Sequence, residues 1–210
     1  MSELDKIIRC DFSNIYTSET LKIVNEISKV ICCMDLYYSK KRFDHRLFLN
    51  LKENIKNVCD YWTGNVYIGT CKENNVKNTF QVFFEKLMKL LLYMKNSEIK
   101  YEKEYANEVL YQGKLYRYLS SDKFSAKSVD VEYSNVYVSW SKQKENNVKG
   151  KMYYPYKILT CEMSKEMYGI DIEAIGVSKY LEFEFVFPTI KETIINVEEV
   201  FDNYKEDEDE

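Results

Sequence analysis

The hydrophobic period of this chain changes once, near residue 110, and that change limits what the chain can fold into. Ahead of it, apolar residues recur every three or four positions. In "SETLKIVNEISKVICCM" these are Leu21, Val24, Ile27 and Ile31, with Thr17 or Ser18 as candidate caps. In "DHRLFLNLKENIKNVCDYW" they are Leu47, Leu51, Ile55, Val58 and Trp62, with Asp44 where a cap belongs and Gly64 just past the end. The strongest stripe lies in "VKNTFQVFFEKLMKLLLYMK": Phe80, Phe83, Phe84, Leu87, Leu90, Leu91 and Met94. Between the last two, "NVYIGT" suits a short strand.

After the change the period is two. "KLYRYL", "NVYVSW", "YKILTCEM", "YGIDIEAI", "LEFEFVFP" and "TIINVEEVF" are short and rich in β-branched and aromatic residues, as strands are. The expected class is α+β, with helices first and strands after. Residues 1–100 are read as a helical lead-in and residues 101–201 as a β-rich core of the same domain. The closing "KEDEDE" (202–210 with its neighbours) reads as an acidic, disordered tail.

Composition removes several function classes. A net charge of −4 with scattered basic residues gives no electrostatic case for a dedicated nucleic-acid binder. The six cysteines include no CxxC, and one histidine, His45, leaves little for a zinc site, so no metal is expected. Free thiols in a cytoplasm are the expectation, with Cys32 and Cys33 filling core space. "MSELDKIIRC" has no apolar run of the signal-peptide kind, and no stretch nears the roughly 18 apolar residues of a membrane span, so no membrane partner is expected.

Three short motifs carry chemistry. "LYRYLS" holds Arg117 in a strand, where a rigid guanidinium can grip a phosphate with two parallel hydrogen bonds. "VYVSWSK" puts Ser139 and Ser141 on one face of another strand and Trp140 on the other. "KYLEFEFVFP" puts Glu182 and Glu184 on one face, their carboxylates roughly 7 Å apart at about 3.3 Å rise per residue. Each motif alone suits an ordinary solvent-facing strand. Their order and spacing say more: the serine motif begins 22 residues after Arg117, and the glutamate motif follows it by 43.

That ordered set resembles the mono-ADP-ribosyltransferases of the arginine–serine–glutamate class, which include bacterial toxins and phage-encoded enzymes. The likeness covers roughly residues 110 to 200 and extends through "KILTCEMSKEMYGIDIEAIGVSKYLEFEFVFP". It implies an ADP-ribosyltransferase-like core of two mainly antiparallel sheets. It also implies NAD as the substrate, cleaved at the nicotinamide–ribose bond, with ADP-ribose passed to a host or target protein. Glu184 matches the catalytic glutamate, which stabilises the developing ribosyl cation much as carboxylates do in glycoside hydrolysis. Glu182 matches the residue that prepares the acceptor, and a glutamate there points to arginine. Arg117 would bind the NAD pyrophosphate, Ser139 would hold Glu184, and Ser141 would support its strand and the cofactor site. Tyr180, just before the glutamate motif, would face the target, and Tyr153, Tyr154 and Tyr156 are all open as partners for the nicotinamide ring. A nucleic-acid acceptor is also open, because other nucleophiles capture the same cation. The chain departs from the family pattern at Trp140, where smaller residues are usual, and at Tyr118, where many members have glycine. Competing readings are an inactive relative or α+β binding module, and an NAD glycohydrolase.

Overall fold

A computed structural model of the chain describes residues 18–40, 42–63, 74–120, 136–144, 156–176 and 184–200. Four helices come first: α1 (Ser18–Ser39), α2 (His45–Thr63), α3 (Asn74–Lys95) and α4 (Lys100–Val109). Seven strands follow: β1 (Leu110–Tyr111), β2 (Lys114–Ser120), β3 (Tyr137–Ser141), β4 (Tyr156–Glu162), β5 (Gly169–Asp171), β6 (Glu184–Pro188) and β7 (Ile194–Val200). The class is α+β, as the periodicity requires. The chain forms two compact units, one of Met1–Leu110 with Asp171–Leu181, the other of Tyr111–Ile170 with Glu182–Glu210.

In the helical unit all seven apolar positions of the α3 stripe are buried, from Phe80 to Met94. Trp62 of α2 meets Phe80 and Phe84 edge-on at ring distances of 5.1 and 4.8 Å. The α2 stripe starts one residue later than the spacing suggested, with Phe48 buried where Leu47 is half-buried, and Cys59 is buried with it. The cysteines of α1 differ from expectation. Cys32 is exposed and Cys33 half-buried, so neither fills the core, whereas Cys59 and Cys161 do; none of the four is in a disulfide. The segment read as a strand at "NVYIGT" and the proposed cap Thr17 lie outside the described residues, as does the side chain of Ser18.

Helix α4 lies past the boundary expected at residue 100. Its inner positions, Glu102, Tyr105, Ala106 and Val109, follow helical spacing, but the first is a carboxylate. Buried at 4% exposure, Glu102 accepts the hydroxyl hydrogen of Tyr37 at 2.6 Å, a bond that spans 65 residues of chain. A buried polar group is costly unless hydrogen-bonded, and this contact gives the Glu102 side chain a partner inside the core. Burial, then the bond to Glu102, pushes the Tyr37 phenol well above its ordinary range.

Asp44 caps α2 as its position predicts: the backbone N–H of Leu47 donates to its Oδ1 at 3.1 Å. That bond, with Lys40 at 3.3 Å, holds the Asp44 carboxyl below its usual range. A depressed folded-state value stabilises the fold above the unfolded value, about 3.9, and the contribution is lost as pH falls through the lower folded one. Asp44→Ala is therefore expected to lower the melting temperature at pH 7, and the gap to the unaltered protein should close as pH drops below about 4. A gap unchanged down to pH 2 would show that the cap does not act through its charge.

The β unit is built on one curled antiparallel sheet, a half-barrel of order β1-β5-β6-β3-β2-β4-β7. The two-sheet core implied by the resemblance is not seen among the described residues. Strand β2 runs against β4 along its full length, from Lys114 opposite Glu162 to Ser120 opposite Tyr156. The stretch "YGIDIEAI" is a strand only through Asp171. Beyond it the chain turns, with the N–H of Ala174 on Asp171 Oδ1 and Gly176 at a φ of 99°, a conformation glycine adopts without strain. Leu115, Trp140, Leu159, Cys161, Met163, Phe185 and Phe187 form the apolar cluster of this unit.

Candidate functional site

Sheet order decides which of the motif residues meet. Strands β2, β3 and β6, which carry Arg117, the two serines and Glu184, are consecutive neighbours in the sheet although their sequence order is separated by β4 and β5. Register then sets the faces. Tyr116 lies opposite Ser141, and Ser141 lies opposite Glu184. Cross-strand partners share a face, so Tyr116, Ser139, Ser141 and Glu184 lie on one side. Leu115, Trp140, Phe185 and Phe187 lie on the other, within the apolar cluster.

On the first face Ser139 donates its hydroxyl hydrogen to Glu184 Oε1. Ser139 is exposed and Glu184 half-buried, so the carboxylate is reachable from solvent while one oxygen is fixed. Ser141 accepts the backbone N–H of Gln143 at 3.1 Å, which turns the chain as it leaves β3. The hydroxyl thus shapes the end of its strand.

Arg117 joins the group by another route. Alternation places it on the Leu115 side of β2, and its Nη1 donates to the backbone carbonyl of Ser139 at 3.2 Å. The guanidinium therefore meets the serine through the main chain and not through the hydroxyl that holds Glu184. Ser139 and Glu184 thus meet on one face, while Arg117 reaches the main chain of the same serine from the other. Glu182, Tyr180, Tyr153 and Tyr154 lie outside the described residues, as does the side chain of Tyr156.

Trp140 and Tyr118 both make contacts that spacing alone could not reveal. The Trp140 indole N–H donates to the carbonyl of Phe187 at 2.9 Å. The Tyr118 hydroxyl donates to the carbonyl of Lys144, three residues past β3. Lys144 in turn pairs with Glu198 of β7 at 2.8 Å, and that carboxylate raises the ammonium's affinity for its proton. The available signal was that both residues are large and carry a hydrogen-bond donor.

The helical unit has its own groove of about 930 Å³, lined by Met34, Tyr38, Lys86, Leu90 and Tyr93 among others, and none of the motif residues lines it. Among the described residues no helix is long and apolar enough to cross a membrane. No family model, curated protein or solved structure matches this chain.

Proposed function

We propose that this chain is an NAD-dependent mono-ADP-ribosyltransferase with an ADP-ribosyltransferase-like β core, acting on an arginine of a target protein as a toxin, effector or phage host-takeover enzyme. One observation carries the reading. Ser139 and Glu184, 45 residues apart in the chain, are hydrogen-bonded on one face of adjacent strands, and Arg117 of the next strand reaches the main-chain carbonyl of the same serine from the other face.

The chemistry follows from what such groups can do. The bond between ribose C1′ and the nicotinamide nitrogen breaks, and its electron pair leaves with nicotinamide, neutralising the ring. The positive charge left on the ribose ring is stabilised by Glu184, whose carboxylate is already held in place by Ser139 and need not reorganise. An arginine side-chain nitrogen of the target then bonds to C1′ and gives up a proton, which Glu182 accepts. Free guanidinium is protonated and a poor nucleophile, so the second carboxylate has a defined task. Arg117 offers a planar fork of donors suited to the pyrophosphate.

Incubation with labelled NAD and a lysate should decorate protein, and NAD alone should raise the melting temperature, since binding to the native state at 100 times Kd adds about 2.7 kcal/mol. Absence of both at millimolar NAD would overturn the reading. Glu182→Gln is expected to cut transfer to arginine far more than nicotinamide release. Equal loss of both would remove the acceptor role from Glu182. Release of nicotinamide without protein labelling, from the unaltered chain, would indicate a glycohydrolase.

A further inference from the structure

Two hydrogen bonds between β3 and β6 run diagonally, on opposite faces of the sheet. Ser139 lies opposite Val186, yet its hydroxyl reaches Glu184, two residues toward the start of β6. Trp140 lies opposite Phe185, yet its indole reaches the carbonyl of Phe187, two residues toward the end of β6. The ties therefore lean in opposite directions along the same strand. Sliding β6 one way stretches the first, and sliding it the other way stretches the second. Such a pair of diagonals resists sliding in both directions and adds to the register that the ladder sets.

We infer that Trp140 is a positioning residue for Glu184: its buried indole, tied to the Phe187 carbonyl, fixes the offset of β6 against β3 and so keeps the Glu184 carboxylate on the Ser139 hydroxyl. The surroundings suit that task. Trp140 is 2% exposed, sits in the apolar cluster and meets the Phe187 ring edge-on at 6.4 Å, so its own rotamer is fixed by packing. Phe187 is equally buried, and the carbonyl that receives the indole N–H is shielded from competing water. A tryptophan in the centre of the serine motif thus gives this chain a brace that a smaller residue there would not supply.

The kinetic side of this inference rests on the transferase reading; the structural side does not, and the experiment separates them. Trp140→Phe keeps a ring in the core and removes the N–H. In that variant the Glu184 side-chain carboxyl, followed by carbon NMR, is expected to titrate with a displaced midpoint, because its hydroxyl donor has moved. An unchanged Glu184 titration in a folded Trp140→Phe protein would overturn the inference, whether or not the chain cleaves NAD. If the unaltered chain does cleave NAD, the variant should lose about tenfold in kcat per folded molecule with KM for NAD little changed, the pattern of a misplaced catalytic group. Loss that merely follows the folded fraction, with kcat per folded molecule intact, would equally overturn it. Should the variant fail to fold, the unaltered protein supplies the test. Its Trp140 indole N–H should exchange with solvent as slowly as the amides of the β3–β6 ladder, and an indole proton that exchanges at the free rate would refute the brace.

Discussion

Glu184→Gln is expected to lower nicotinamide release from NAD, and with it ADP-ribose transfer, by about two to three orders of magnitude, the range seen when one preorganised electrostatic partner of a transition state is removed. Glutamine keeps the size of the side chain and can still accept the Ser139 hydroxyl, so the contact between β3 and β6 survives. What disappears is the negative charge facing the ribosyl cation. The melting temperature should stay close to that of the unaltered chain, which makes the activity loss a statement about chemistry. Radiolabel transfer and nicotinamide release, measured on protein of verified fold, check it. Near-normal rates would remove Glu184 from the reaction, and the function proposed above with it.

The second large effect concerns the helical unit. Phe84→Ala is expected to cost about 3–5 kcal/mol of stability. Phe84 has 0% exposure and packs edge-on against both Trp62, at 4.8 Å, and Phe83, at 5.1 Å, so truncation leaves a cavity walled by rigid rings that cannot collapse into it. Leu36→Ala is the matched control. Leu36 is 55% exposed on α1, and its loss should shift stability by no more than about 0.5 kcal/mol. Urea titrations followed by helical circular dichroism would register both. Comparable costs at the two positions would mean that the helical core is not organised around the α3 stripe.

The three long helices and most strands were legible from residue order because the signals behind them are local. All seven positions read in the α3 stripe are buried, since a helix repeats its inward face every three to four residues whatever it packs against; Val76 and Thr79, at the start of the helix, are buried with them. Helix α4 was missed for the complementary reason. Its inner face begins with Glu102, which reads as a solvent position until Tyr37 of α1 is seen to satisfy it. The sheet shows the same division. Alternation in "NVYVSW" and "LEFEFVFP" was enough to assign Trp140 and the serines to opposite faces, as found.

Residue order by itself determined the three long helices, most of the strands and the chemical types available to a site, because periodicity and side-chain chemistry need no partner to be expressed. Strand order and register were decided only in three dimensions, because pairing joins segments that no local pattern links: β6 lies beside β3, 45 residues away at the Ser139–Glu184 contact. That choice set Ser139 under Glu184, brought Arg117 to the serine through its main-chain carbonyl, and turned Trp140 from an odd residue in a motif into the far end of a brace.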